Sequence, residues 1–156
     1  MLRKALAATA CAAVGIVIGA TAFSLASPRG HAATPTTVHV IEHAITDTVV
    51  YPGAHTDTTG NLLTFHNPVY GPLDRTRVGH DRGDCIRIAP AQGTWECRWV
   101  TWVTGGKITV EGPFNDTSNT VLAITGGTGI YRNARGQMVL KSRSGGTEYD
   151  FIFHLS

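Results

Sequence analysis

Val121–Leu140, VLAITGGTGIYRNARGQMVL, decides how this chain is read. Val121–Thr125 is apolar and β-branched, which favours a strand. Gly126, Gly127 and Gly129 follow, residues that reach backbone conformations other side chains resist. A glycine turn is expected there. Ile130–Arg135 forms a short irregular crossing. Gly136 opens the next apolar run, where a bulge or a close backbone approach is expected. The unit is strand, turn, crossing, strand, with more punctuation than a simple hairpin needs.

Outward from this stretch, strand signals dominate. Val38–Tyr51 is rich in Val, Ile and Thr, and Asn61–His66 follows Gly60 as a short apolar run. Arg75–His80 and Cys85–Ile88 read as one long strand interrupted near Gly83. Trp95–Thr104 ends at Gly105-Gly106, a hairpin signal. Lys107–Glu111, Thr120–Thr125, Gln137–Ser142 and Glu148–Leu155 complete the set. The last run alternates most clearly: Tyr149, Phe151, Phe153 and Leu155 share one face, Glu148, Asp150, Ile152 and His154 the other. No helical period is sustained after residue 37. Seven to eight strands at this spacing predict an all-β sandwich or barrel.

The chain has 156 residues, one domain plus at most a leader. Arg3 and Lys4 precede an uncharged run, Ala5–Ala26, and two small-x-small patterns follow, Ser24-Leu25-Ala26 and Gly30-His31-Ala32. This is secretory signal grammar, predicting a signal peptide over residues 1–33, a domain over 34–156 and a secreted product. An uncleaved anchor is the alternative, because the apolar run is long enough to span a bilayer. Of 13 Lys and Arg, three (Arg3, Lys4, Arg29) fall in the leader, which leaves ten against 11 Asp and Glu. A balance of −1 offers no electrostatic case for nucleic acid or acidic membranes as partners. Cys85 and Cys97 flank CIRIAPAQGTWEC, a hairpin turning at Pro90 and Gly93. In an exported chain two such cysteines pair. The alternatives are two free thiols or one reactive Cys85.

Several motifs in order resemble one family. FHNPVYGPLDRTRVGHDRGDCIRI (65–88) follows the Phe-x-Asn-x-x-Tyr … Arg-Val-Gly … Gly-x-Cys pattern of plant allene oxide cyclases. KITVEGPF (107–114) is similar to their strand ending in Gly-Pro and an aromatic. LAITGGTGIYRNARGQMVL resembles both these cyclases and dirigent proteins. The resemblance covers most of Glu42–Leu155. It implies a closed eight-stranded antiparallel barrel of the allene oxide cyclase/dirigent type, calycin-like, that holds a small apolar molecule. It also implies isomerase or cyclase activity, and a homo-oligomer, dimer or trimer. A dirigent-like guide that steers coupling without catalysis, and a secreted structural barrel without ligand, are the other classes. Confinement in a dry, shaped cavity favours one reacting geometry and excludes water.

The resemblance places two candidate catalytic residues. Glu42 matches the barrel glutamate; it shares a strand face with Val38, Val40 and Ala44, where burial would raise its pKa. An exposed strand-end Glu is the plain alternative. Asn67 matches a cavity asparagine; the alternative is a turn residue before Pro68. Cys85 matches a cavity cysteine, made structural if Cys97 pairs with it. The pattern is half kept. Ala44 stands where the family has Asn, and Val50-Tyr51-Pro52 lacks the serine that positions the epoxide water, so allene oxide cyclization itself is not the expected reaction. No cofactor or metal is expected. His39 and His43 read as surface residues, His66 and His80 can approach on adjacent strands with a metal between them only as the minor alternative, and Gly126–Gly129 lacks the Lys-Ser/Thr of a phosphate loop.

Overall fold

A computed structural model describes residues 36–53 and 55–156. The expected leader, residues 1–33, lies outside them. Ten β-segments follow in order: β1 Thr36–His43, β2 Thr48–Val50, β3 Leu62–Phe65, β4 Pro68–Tyr70, β5 Arg77–Ala89, β6 Thr94–Val103, β7 Gly106–Asn115, β8 Thr120–Gly129, β9 Gly136–Arg143 and β10 Glu148–Leu155. Every pairing is antiparallel. The run β5-β4-β1-β10-β9-β8-β7-β6 returns to β5, which closes a barrel. β3 and β4 take the same side of β5, one against each half, so together they form one broken stave. β1 and β2 form another, since β1 pairs with β4 and β2 with β3. The ten segments therefore make eight staves, and closure leaves few backbone groups unpaired.

The two breaks, Ala44–Asp47 and His66–Asn67, lie beside each other in the wall. The sequence reads Val38–Tyr51 as continuous, and the structure corrects this. The bend at Ala44–Asp47 is held by a side chain from the neighbouring break. β5 is corrected in the opposite sense: it runs unbroken through Gly83, paired to Phe65 on one side and Trp99 on the other. A Cβ at Gly83 would lie 2.3 Å from Trp99 Cβ. The glycine makes room for the close backbone of β6 at Arg98 and Trp99 rather than for a turn.

The deciding stretch shifts similarly. β8 continues through Gly126 and Gly127, and the turn is Ile130–Arg135. Gly129 (φ 63°) ends the strand, and Gly136 (φ 125°) starts the next, its Cβ position 2.0 Å from His154 O. Of the glycines in this stretch only those two lie at positive φ, and Asn133 (φ 65°) takes the same region within the turn. At Gly127 the need is space, because a Cβ would meet Tyr131 O at 2.4 Å.

Inward residues fill the barrel. Val69, Ile108, Met138 and Phe153 are fully buried and pack the end where β1 begins. Trp99, Phe151, Leu140, Leu63 and the Cys85–Cys97 pair occupy the other half. Cys85 and Cys97 face each other in register, Cα atoms 4.0 Å apart, and are joined by a disulfide. Such a link across about a dozen residues restricts the unfolded chain by ~3 kcal/mol. A 3-10 turn, Pro90–Gln92, connects β5 to β6, with Gly93 in left-handed conformation after it.

Candidate active site

The two breaks in the wall bring Glu42 and Asn67 together. Asn67 is fully buried and uses every polar atom. Its side-chain oxygen accepts from Ile45 N (3.0 Å), Thr46 N (2.9 Å) and Thr46 Oγ1 (2.9 Å). Its amide nitrogen donates to Glu42 Oε1 and Asp47 Oδ1, both at 2.7 Å. Its backbone N–H donates to Asp81 Oδ1 at 3.1 Å, and Asp81 N–H returns a bond to its carbonyl at 2.8 Å. One asparagine thus shapes the bend at 44–46 and presents amide hydrogens to two carboxyls. Asn67 stands just before Pro68, as a turn residue would, and it also organises the site.

Three acids surround it: Glu42 on β1, Asp47 in the bend and Asp81 on β5. Glu42 is 5% exposed and Asp81 0%. Burial raises the Glu42 pKa well above the ordinary carboxyl range, and the Asp81 charge raises it further against the Asn67 hydrogen bond. Burial likewise pushes Asp81 up to about 7, against the hydrogen bonds it accepts. Asp81 Oδ2 has no N–H or O–H donor among the described residues other than a carboxyl proton. Burial of both acids side by side therefore favours retention of a proton by the pair.

Glu42 and Asp47 form part of the rim of a half-open pocket whose walls include Leu63, Phe65, Trp99, Phe114, Leu140 and Phe151. Its enclosed space is about 30 Å³, room for a water or two. Phe114 meets Tyr149 edge-on at 5.7 Å, and Trp99 lies 5.9 Å from Phe65 and 5.4 Å from Phe151. The Tyr149 hydroxyl is held protonated, its pKa pushed up to about 12 by burial and then by the charges of Glu42, Asp47 and Asp116. Trp99 Nε1 is buried without a hydrogen-bond partner among the described residues. An apolar chamber lined in part by a buried carboxyl can take a small molecule and exchange a proton with it.

Other histidines lie outside this site. His39 bonds Asp150 and His43 bonds Asp74, each at 2.8 Å. His66 and His80 approach edge-on, ring centres 5.1 Å apart, and His80 stacks on Trp102. Cys85 lines the pocket as half of the disulfide. Sequence reading missed Asp47 and Asp81. Asp81 had a signal: it stands four residues before Cys85, hence on the same inward strand face. Asp47 had none, because it sits in the bend, where strand period does not apply.

Solved structures share the fold at low identity. A pyocyanin demethylase superposes with a TM-score of 0.65 at 21% identity, over 76% of this chain and 100% of that one. The pterocarpan synthase dirigent protein PsPTS1 gives 0.64 at 22% identity, over 80% and 97%. AbnU, an exo-specific intermolecular Diels-Alderase, gives 0.62 at 13% identity, over 78% and 98%. The family model for allene oxide cyclase matches residues 42–155, the span from the site glutamate to the end of β10, and the chain belongs to that family.

Proposed function

We propose that this chain binds a small, largely apolar molecule in the half-open end of the barrel and guides its rearrangement or ring closure, with Glu42 as the proton donor. The observation that carries this reading is the joining of two things: an apolar, aromatic-walled pocket and a buried pair of acids, Glu42 and Asp81, both hydrogen-bonded to Asn67. Asn67 positions Glu42, and Asp81 behind it keeps the proton in place. The structural neighbours carry the names of a demethylase, a dirigent pterocarpan synthase and a Diels-Alderase, all small-molecule chemistries. The enclosed space, about 30 Å³, is far below the roughly 300 Å³ of an ordinary small-molecule site, so a ring-sized ligand enters only as side chains at the half-open end move apart. An oxidising, extracytoplasmic setting fits both the disulfide and the signal-like leader. The same reading includes a homo-oligomer.

The test is direct. Protein purified without denaturation is analysed by native mass spectrometry for retained small molecules, and Leu140→Trp is made to fill the pocket. Retained mass that disappears in Leu140→Trp supports the reading. A protein that carries nothing and does not enhance the fluorescence of any apolar dye is a structural barrel instead.

A further inference from the structure

On the face of β1 opposite Glu42, three side chains from distant parts of the chain converge. His43 ends β1, Glu148 opens β10 directly across from it in register, and Asp74 comes from the β4–β5 loop. His43 Nε2 lies 2.8 Å from Asp74 Oδ1 and 4.0 Å from Glu148 Oε1. One ligand atom from each residue lies within 4.8 Å of the other two. Among the described residues neither carboxylate pairs with a Lys or Arg, so two acids face one imidazole. Two contacts from outside the group fix its geometry. Tyr70 stacks on the His43 ring, centres 4.3 Å apart. Ser144 Oγ donates to Glu148 Oε2 at 2.9 Å, which leaves Oε1 for the side of His43. Such outer partners are what orient the ligands of a metal ion.

We infer that this group is a binding site for a divalent transition-metal ion of the zinc type, held by His43 Nε2, Asp74 Oδ1 and Glu148 Oε1. An imidazole nitrogen joined to carboxylate oxygens is a donor set for first-row metals, whereas Mg2+ and Ca2+ take oxygen ligands. Zinc bonds of about 2.0–2.2 Å in a tetrahedron place ligand atoms about 3.3 Å apart. The separations of 2.8 Å and 4.0 Å fall on either side of that value, so shifts of about 0.5–0.7 Å admit the ion. All three side chains are half-buried, which leaves the outward position of the tetrahedron to water. The bound ion ties the β4–β5 loop to the paired ends of β1 and β10. His39 is an internal contrast. It also bonds one carboxylate at 2.8 Å, but that carboxylate, Asp150, already faces Arg143 at 3.7 Å, and among the described residues no second acid pairs with His39. The alternative at His43 is an imidazolium held between two carboxylates with no metal.

Isothermal titration of tag-free protein, stripped with a chelator, against Zn2+ at about pH 7.5 tests this. One ion per chain with a Kd below about 100 µM is expected. His43→Ala, Asp74→Asn and Glu148→Gln each weaken binding by at least about tenfold, and His39→Ala leaves it within about twofold. Zn2+ raises the melting temperature of the parent and leaves that of His43→Ala unchanged. Co2+ in place of Zn2+ gives visible absorption bands that His43→Ala abolishes. Melts without metal report whether each variant folds, and Asp74→Asn in the loop serves where His43→Ala does not. A parent Kd above about 100 µM overturns the inference and leaves the imidazolium between two acids. Zn2+ binding that persists unchanged in Asp74→Asn and Glu148→Gln overturns it as well, because the ion is then held elsewhere.

Discussion

At the scale of single residues, Asn67 is the side chain on which most depends. Truncation to Ala leaves Ile45 N, Thr46 N and Thr46 Oγ1 without their acceptor and Glu42 and Asp47 without their donor. Buried groups that lose partners cost about 1–3 kcal/mol each. Some regain water at the bend. Asn67→Ala is expected to destabilise by about 3–5 kcal/mol, read as the midpoint shift in a urea titration; a loss below about 1 kcal/mol would remove Asn67 as organiser. Asp81 gives a prediction with a sign. Its folded pKa, about 7, lies above its unfolded value. The native state then binds more protons than the unfolded chain between about pH 4 and pH 7. Stability is therefore fully present in the acid part of that window and declines as pH rises through it. Asp81→Asn keeps an acceptor for Asn67 N–H and offers Glu42 a donor that needs no proton. The variant is expected to melt higher than the parent at pH 8 and to lose much of the decline between pH 5 and pH 8. A parent whose melting temperature is flat or rising from pH 5 to pH 8, with the variant no more stable at pH 8, would contradict the proton-sharing pair.

At the scale of elements, the broken staves and the unbroken β5 explain both what the sequence revealed and what it concealed. Gly83→Ala places a methyl 2.3 Å from Trp99 Cβ and 2.4 Å from Arg98 O, both on the paired strand. Neither can yield cheaply, so β5 and β6 must separate. The expected cost is roughly 3 kcal/mol or more, with Trp99 fluorescence shifted to the red as water reaches the indole. A neutral Gly83→Ala would show that β5 does bend there, as its sequence alone suggests. Alternation in Glu148–Leu155 is legible because Phe151 and Phe153 are buried and His154 is exposed, whereas Glu148, Tyr149 and Asp150 are all half-buried. The cysteine hairpin was legible for a similar reason, two small sulfur residues placed symmetrically about a turn. The ends of β7 and β8 were not. EGPFN and TGGTG contain residues that usually stop strands, yet both continue pairing because neighbouring strands supply partners. Glycine was read as a turn signal where Gly83 and Gly127 answer to close packing, a long-range fact. The same limit hid the site. Glu42 and Asn67 could be named from the family pattern, but Asp47 joined them only through a bend stabilised from the neighbouring strand. Asp81 joined through a proton that no sequence motif encodes.

At the scale of the whole molecule, the outer surface is less self-sufficient than the interior. Val50, Leu62 and Ile86 stand side by side in the register of β2, β3 and β5. They are 46%, 37% and 44% exposed, and Ile88, one outward step further along β5, is 50% exposed. Scattered apolar residues on a surface need no explanation, but a row across three strands forms one patch. Among the described residues β2 beside it pairs with β3 alone, and its other edge has no strand partner there. Closure of the barrel at β1–β10 does not reach that short strand. A patch joined to an open edge suits burial against another copy of the chain, where identical rows meet about a symmetry axis. The protein is expected to sediment as an oligomer at about 50 µM. Ile86→Lys puts a charge in the centre of the row without touching the core, since Ile86 points outward from β5. It is expected to weaken association by at least about tenfold while leaving the melting temperature of the dilute protein nearly unchanged. Ligand binding should survive in that variant, because the pocket is lined from within one barrel. A parent that sediments as a monomer at that concentration would refute the assignment of this face. An oligomer indifferent to Ile86→Lys would move the interface elsewhere on the barrel.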